Sequence, residues 1–143
     1  MIAVFAPYGR NEVTGAALRL ADLFIEAGLD VKLVAVGVRE TNVHPRWDSL
    51  VVSGASGGVH RAAKLATTCV WFTVDALALN SAREASKAFH VLVPSVHALR
   101  PGDAAVVRSF DSIVCPTRLG KDLIKTYVFG QEKPGDRLTW AVW

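Results

Sequence analysis

Two cysteines in 143 residues leave little scope for covalent stapling. Cys69 and Cys115 each sit inside an apolar run, and they read as small buried hydrophobes rather than a disulfide or a metal pair. Charge is sparse as well. Only 20% of the residues are Asp, Glu, Lys or Arg, and the net charge is +3. That balance suits an anionic ligand but is too mild to indicate nucleic acid. With 51% hydrophobic residues the chain is not a disordered segment, which needs low hydrophobicity and high net charge. No apolar run approaches the ~20 residues of a membrane-spanning helix. The opening Met1-Ile2-Ala3-Val4-Phe5 lacks the basic start and cleavage site of a signal peptide, so a cytoplasmic location is expected. Several motifs are missing too. There is no GxGxxG, no Walker A lysine and no GxSxG elbow, which removes most support for dinucleotide binding, ATP hydrolysis or a serine nucleophile. His44, His60 and His90 show no metal-ligand spacing, and no metal is expected. Repeats, low-complexity tracts and linkers are also lacking, so residues 1–143 read as one domain.

What is present is an alternation of strand-length apolar runs with segments of helical period. Ile2 to Ala6 is a continuous apolar run, as expected of a strand covered on both faces. Thr14 is expected to cap a helix reaching Ala27, with Gly28 ending it. On that helix Arg19, Asp22 and Glu26 share the wet face, opposite Leu18, Ala21 and Ile25. Strands follow at Val31 to Val36, Leu50 to Val52, Cys69 to Val74, Val91 to Val93, Ser112 to Cys115 and Leu138 to Trp143. Helices are expected from Val59 to Ala66, from a Ser81/Glu84 capping box to Phe89, from Pro101 to Phe110, and from a Thr117 cap to Val128 with Gly130 at its end. Repeated βα units of this kind imply an α/β, Rossmann-like three-layer αβα domain with a mostly parallel sheet of six or seven strands. The apolar ending with Trp140 and Trp143 leads us to expect that the native chain continues, the alternative being a self-contained domain with its last strand tucked into the sheet.

In open parallel sheets, ligands bind beyond the carboxyl ends of the strands. The loop from Pro7 to Gly15 leads from a buried strand to a helix start, where free N–H groups favour an anion. Gly9 and Gly15 would let backbone approach a ligand there, and Arg10 and Asn11 could reach one; equally, the glycines make the turn. Gly54-Ala55-Ser56-Gly57-Gly58 is a second glycine-rich loop, read as a surface turn. His97 stands at a strand's carboxyl end beside Pro94 and Ser95, as a general base, a ligand to a sugar hydroxyl, or a structural histidine. Asp75 ends another strand and either binds a hydroxyl or starts the next turn. Tryptophans 47, 71, 140 and 143 read as packing residues.

Taken in order, these features resemble the N-terminal domain of a GT-B glycosyltransferase of the retaining group that includes glycogen- and sucrose-type synthases. Met1 to Gly37 is similar to that family's opening: a strand, a loop ending in Thr14-Gly15, the helix Ala16-Ala17-Leu18-Arg19-Leu20-Ala21-Asp22-Leu23-Phe24, and the strand Asp30 to Val36. Val91-Leu92-Val93-Pro94-Ser95-Val96-His97 resembles the strand that ends in a histidine facing the acceptor. Phe110-Asp111-Ser112-Ile113-Val114-Cys115-Pro116-Thr117 resembles the family's "aDxvicpS" segment. Leu138 to Trp143 resembles the strand before the crossing to the second domain. The family has paired glycines in the first loop, where Thr14-Gly15 supplies one.

The resemblance implies an acceptor-side half of an enzyme that moves a sugar from a nucleotide-sugar to an acceptor hydroxyl. The nucleotide-sugar is a co-substrate and no further cofactor is implied. His97 would be catalytic; Arg10, Asn11, Thr14 and Gly15 would face the donor phosphates; Asp75, Ser95 and Thr117 would lie on the acceptor side. The donor-binding second domain, with its paired glutamates, is absent from these residues, so the chain alone is expected to be inactive. The alternative is a non-enzymatic Rossmann-like module that binds a small ligand or a protein, since folds of this kind host many functions.

Overall fold

Strand β1 (Ile2–Pro7) is the member on which the sheet is organised. Ala3, Val4, Phe5 and Ala6 are fully buried, so both faces of the strand are covered. It lies between β2 (Val31–Val36) and β4 (Thr68–Trp71), with Ile2 opposite both Val31 and Thr68. The computed structural model describes residues 1–7, 12–36, 51–52, 56–94, 99–130 and 139–142. The other strands are β3 (Val51–Val52), β5 (Phe89–Leu92), β6 (Ser112–Cys115) and β7 (Thr139–Val142). All pairings are parallel, in the order β3-β2-β1-β4-β5-β6-β7. This is the expected parallel sheet, with its first strand inside it. The chain builds outward from β1 to β3, returns to β4, and then builds outward the other way. The order therefore reverses between β1 and β4.

Alternation along β1 sorts its side chains into two cores. Val4 and Ala6 join Leu33, Val70, Phe72 and Val93 beneath helix α1 (Glu12–Glu26), which contributes Ala17 and Ala21. Small residues there let the helix sit close to the sheet. Ala3 and Phe5 face the opposite core. That side is covered by α2 (Ser56–Leu65), α3 (Ala76–Ala85), and a 3₁₀ turn (Pro101–Asp103) running into α4 (Ala104–Arg108). It is completed by α5 (Arg118–Ile124), prolonged by a π-helical turn (Lys125–Phe129). The result is the three-layer αβα arrangement. Among the described residues no helix is long and apolar enough to cross a membrane.

Trp71 is the centre of the second core. Its ring stacks on Phe5 at 4.0 Å between centroids and meets Phe110 edge-on at 6.4 Å. Its indole N–H donates to His90 Nδ1 at 3.0 Å. Each such fully buried large side chain stabilises the fold by roughly 1.5–3 kcal/mol. Trp140 packs edge-on to Phe129, with the Lys125 ammonium over its ring. Both tryptophans are packing residues, as expected; Trp47 and Trp143 lie outside the described residues.

Helix boundaries depart from the sequence reading in ways that have local causes. Helix α1 starts at Glu12, two residues before the expected Thr14 cap. Thr14 is buried within its first turn, and its hydroxyl donates to the Pro7 carbonyl at 2.7 Å, tying the helix start to the end of β1. Helix α3 starts at Ala76 rather than Ser81, because the Asp75 carboxylate accepts the Ala78 N–H at 2.9 Å. Ser81 is mid-helix and Glu84 lies in the last turn, and Phe89 begins β5 instead of ending a helix. Helix α2 begins at Ser56, so it takes in the Gly57-Gly58 pair expected in a turn. The Thr117 cap is as expected, its hydroxyl accepting the Gly120 N–H at 3.0 Å. Gly28 (φ 80°) and Gly130 (φ 55°) end their helices in the left-handed region that favours glycine.

Candidate functional site

A cleft of about 270 Å³ opens at the carboxyl ends of the sheet strands, on the α1 side. One wall is the first two turns of α1, through Glu12, Val13, Ala16 and Arg19. Phe72, Val93, Pro94 and Pro116 form the other wall and the floor, just past the ends of β4, β5 and β6. The cleft therefore lies beside the reversal of strand order between β1 and β4. At such a reversal the connections on either side leave for opposite faces, and a gap remains between them.

The floor is held from beneath. Phe72 and Val93 belong to the core under α1, and their backbone N–H groups bond to the Phe5 and Trp71 carbonyls, each at 2.8 Å. Glu12 and Arg19 are exposed on the rim, seven residues apart on one helical face. Arg19 runs back along the helix toward its N-terminus: its Nη1 would lie 3.4 Å from a Cβ placed on Gly15. No ion pair joins Glu12 and Arg19 among the described residues. The cleft thus combines an apolar floor, a carboxylate and a guanidinium, which suits a small ligand with an apolar face and polar substituents.

Of the residues singled out in the sequence, Thr14 and Gly15 lie in the opening turns of α1, beside the cleft. Asp75 and Thr117 are the N-caps of α3 and α5, with their side chains engaged to Ala78 and Gly120. Arg10, Asn11, Ser95 and His97 lie outside the described residues.

No family model, curated protein or solved structure matches the chain.

The sequence reading did not single out Phe72; it placed Glu12 in the loop from Pro7 to Gly15, Pro116 at a strand's carboxyl end and Arg19 on the wet face of α1. The signal was there: Glu12, Ala16 and Arg19 recur at i, i+4 and i+7, and so share a stripe beside the loop already suspected. His90, Cys69 and Cys115 do not line the cleft. His90, near the start of β5, is buried, and its pKa is pushed down to about 4, first by burial, with Arg83 adding and Asp111 opposing. Accepting the Trp71 N–H at Nδ1 fixes the neutral ring with its proton on Nε2. Burial pushes the Cys69 thiol up to about 12. Cys115 is also raised by burial, although Lys121 and Lys125 pull it down. Both thiols are free and buried, as small hydrophobes are. Among the described residues no three His, Cys, Asp or Glu side chains gather as a metal site.

Proposed function

We propose that this chain is the acceptor-side half of a glycosyltransferase, which moves a sugar from a nucleotide-sugar to an acceptor hydroxyl. The observation that carries the reading is the cleft at the carboxyl ends of β4, β5 and β6 against the start of α1. Its apolar floor excludes water from one side of a bound ligand, and its polar rim orients hydroxyls. In this reading Arg10 and Asn11 face the donor phosphates and His97 faces the reacting sugar, while the Thr14 hydroxyl is given to the Pro7 carbonyl and Gly15 lies beneath Arg19. Catalysis comes from holding donor and acceptor together and from stabilising the leaving phosphate.

One wall cannot hold both substrates, so the 143-residue chain is expected to show no transfer. Joined to a donor-binding domain, it should transfer sugar from one member of a nucleotide-sugar panel, and His97→Ala should lower turnover more than donor binding. Robust turnover by the chain alone would refute the half-enzyme reading. A joined protein that binds a ligand but transfers from no donor would favour a non-enzymatic binding module.

A further inference from the structure

Resting on the transferase reading, we propose that the acceptor is a hydroxylated anion, bearing a phosphate or carboxylate, and that Arg19 holds its charge. The argument starts from what the cleft leaves unsatisfied. Arg19 is the one cation among the described residues that line the cleft. It is exposed, and no ion pair among the described residues engages it. Its guanidinium does not project straight outward. It lies back over Gly15, one turn nearer the helix start, on the wall that bounds the cleft.

The surroundings make this charge selective. Phe72, Val93, Pro94 and Pro116 form a low-dielectric floor, next to which a charged hydrogen bond is stronger than in open water. A guanidinium presents a planar fork that matches a carboxylate or phosphate with two parallel bonds. Glu12 acts in the opposite sense on the same wall. Its carboxylate repels the anionic end of a ligand and accepts bonds from hydroxyls. The two rim groups therefore impose a direction: the anion at Arg19, hydroxyls toward Glu12. A neutral sugar would gain the hydroxyl contacts alone.

The proposal is tested on the full 143-residue chain by ¹⁵N NMR titration with glucose 6-phosphate, glucuronate and neutral glucose. We expect shifts at Glu12 to Arg19, Phe72 and Val93, with both anions binding roughly tenfold or more tightly than glucose, as one charge-assisted bond contributes about 1.5 kcal/mol or more. Arg19→Gln should erase that preference, while Glu12→Gln should preserve or widen it. If phosphate and carboxylate differ, the tighter one names the anion. Three results would overturn the proposal: equal binding of anions and glucose, a preference that survives Arg19→Gln, or no shift at the cleft with any of the three. The transferase reading is judged separately. A joined enzyme that uses neutral and anionic acceptors with equal kcat/KM, unaffected by Arg19→Gln, would remove the anion and leave the transferase.

Discussion

At His90, three constraints meet on one imidazole. Its Nδ1 accepts the Trp71 indole N–H, its Nε2 lies buried with no partner among the described residues, and its backbone N–H donates to Asp111 Oδ2 at 2.8 Å. The fold therefore holds the ring neutral. Above about pH 6.5 this costs nothing, because the unfolded chain is neutral there as well. As pH falls below that value, the unfolded chain takes up a proton that the native ring refuses. Stability drops until the native ring itself protonates near 4. A depression from 6.5 to about 4 corresponds to a loss of about 3 kcal/mol across that window. Urea unfolding from pH 7 down to 4 should reveal the slope, and His90→Gln should flatten it; an unchanged slope would assign the acid sensitivity elsewhere. None of this was legible in the sequence. A histidine in an apolar strand looks the same whether it serves a ligand or a tryptophan nineteen residues earlier.

Helix ends were the hardest features to locate in the sequence, and the capping residues explain why. Thr117 met the rule directly, since its hydroxyl has one N–H within reach, that of Gly120. Asp75 and the Ser81/Glu84 pair competed for the same helix. The pair has the better pattern, but Asp75 stands where the chain leaves β4, and an earlier start lets Ala78, Leu79 and Ala82 reach the core. Tertiary burial outweighed the local motif. At α1 a different force prevailed, because the Thr14 hydroxyl found the Pro7 carbonyl and the helix extended past it. Since Asp75 and Thr117 are both N-caps, we expect Asp75→Ala and Thr117→Ala each to cost about 1 kcal/mol in chemical denaturation. The same variants in a joined enzyme separate capping from acceptor contact, since a cap lowers stability without changing KM for the acceptor.

Across the whole molecule, the alternation of runs was enough to give the parallel sheet and its layers, since periods of two and 3.6 are written directly in the residues. The cleft was legible only in outline. Its place follows from topology, but its walls are assembled from α1 and the ends of three strands separated by up to a hundred residues, and no local pattern reports that. Burial also varies along the sheet. β1 is sealed on both faces, whereas Thr139, Ala141 and Val142 of the edge strand β7 are exposed. Native-state hydrogen exchange should find the slowest amides in β1 and β4 and markedly faster ones in β7. Uniform protection would mean that the sheet opens as one unit. The position of β1 also sets an order of events during synthesis. Its partner β2 follows after a single helix, so β1, α1 and β2 can associate early from local contacts. β4 must wait for β3 and α2 to emerge, and closing that longer loop is slower. Until then one edge of a strand whose residues Ala3 to Ala6 end fully buried stands open, and the nascent chain is at its most adhesive.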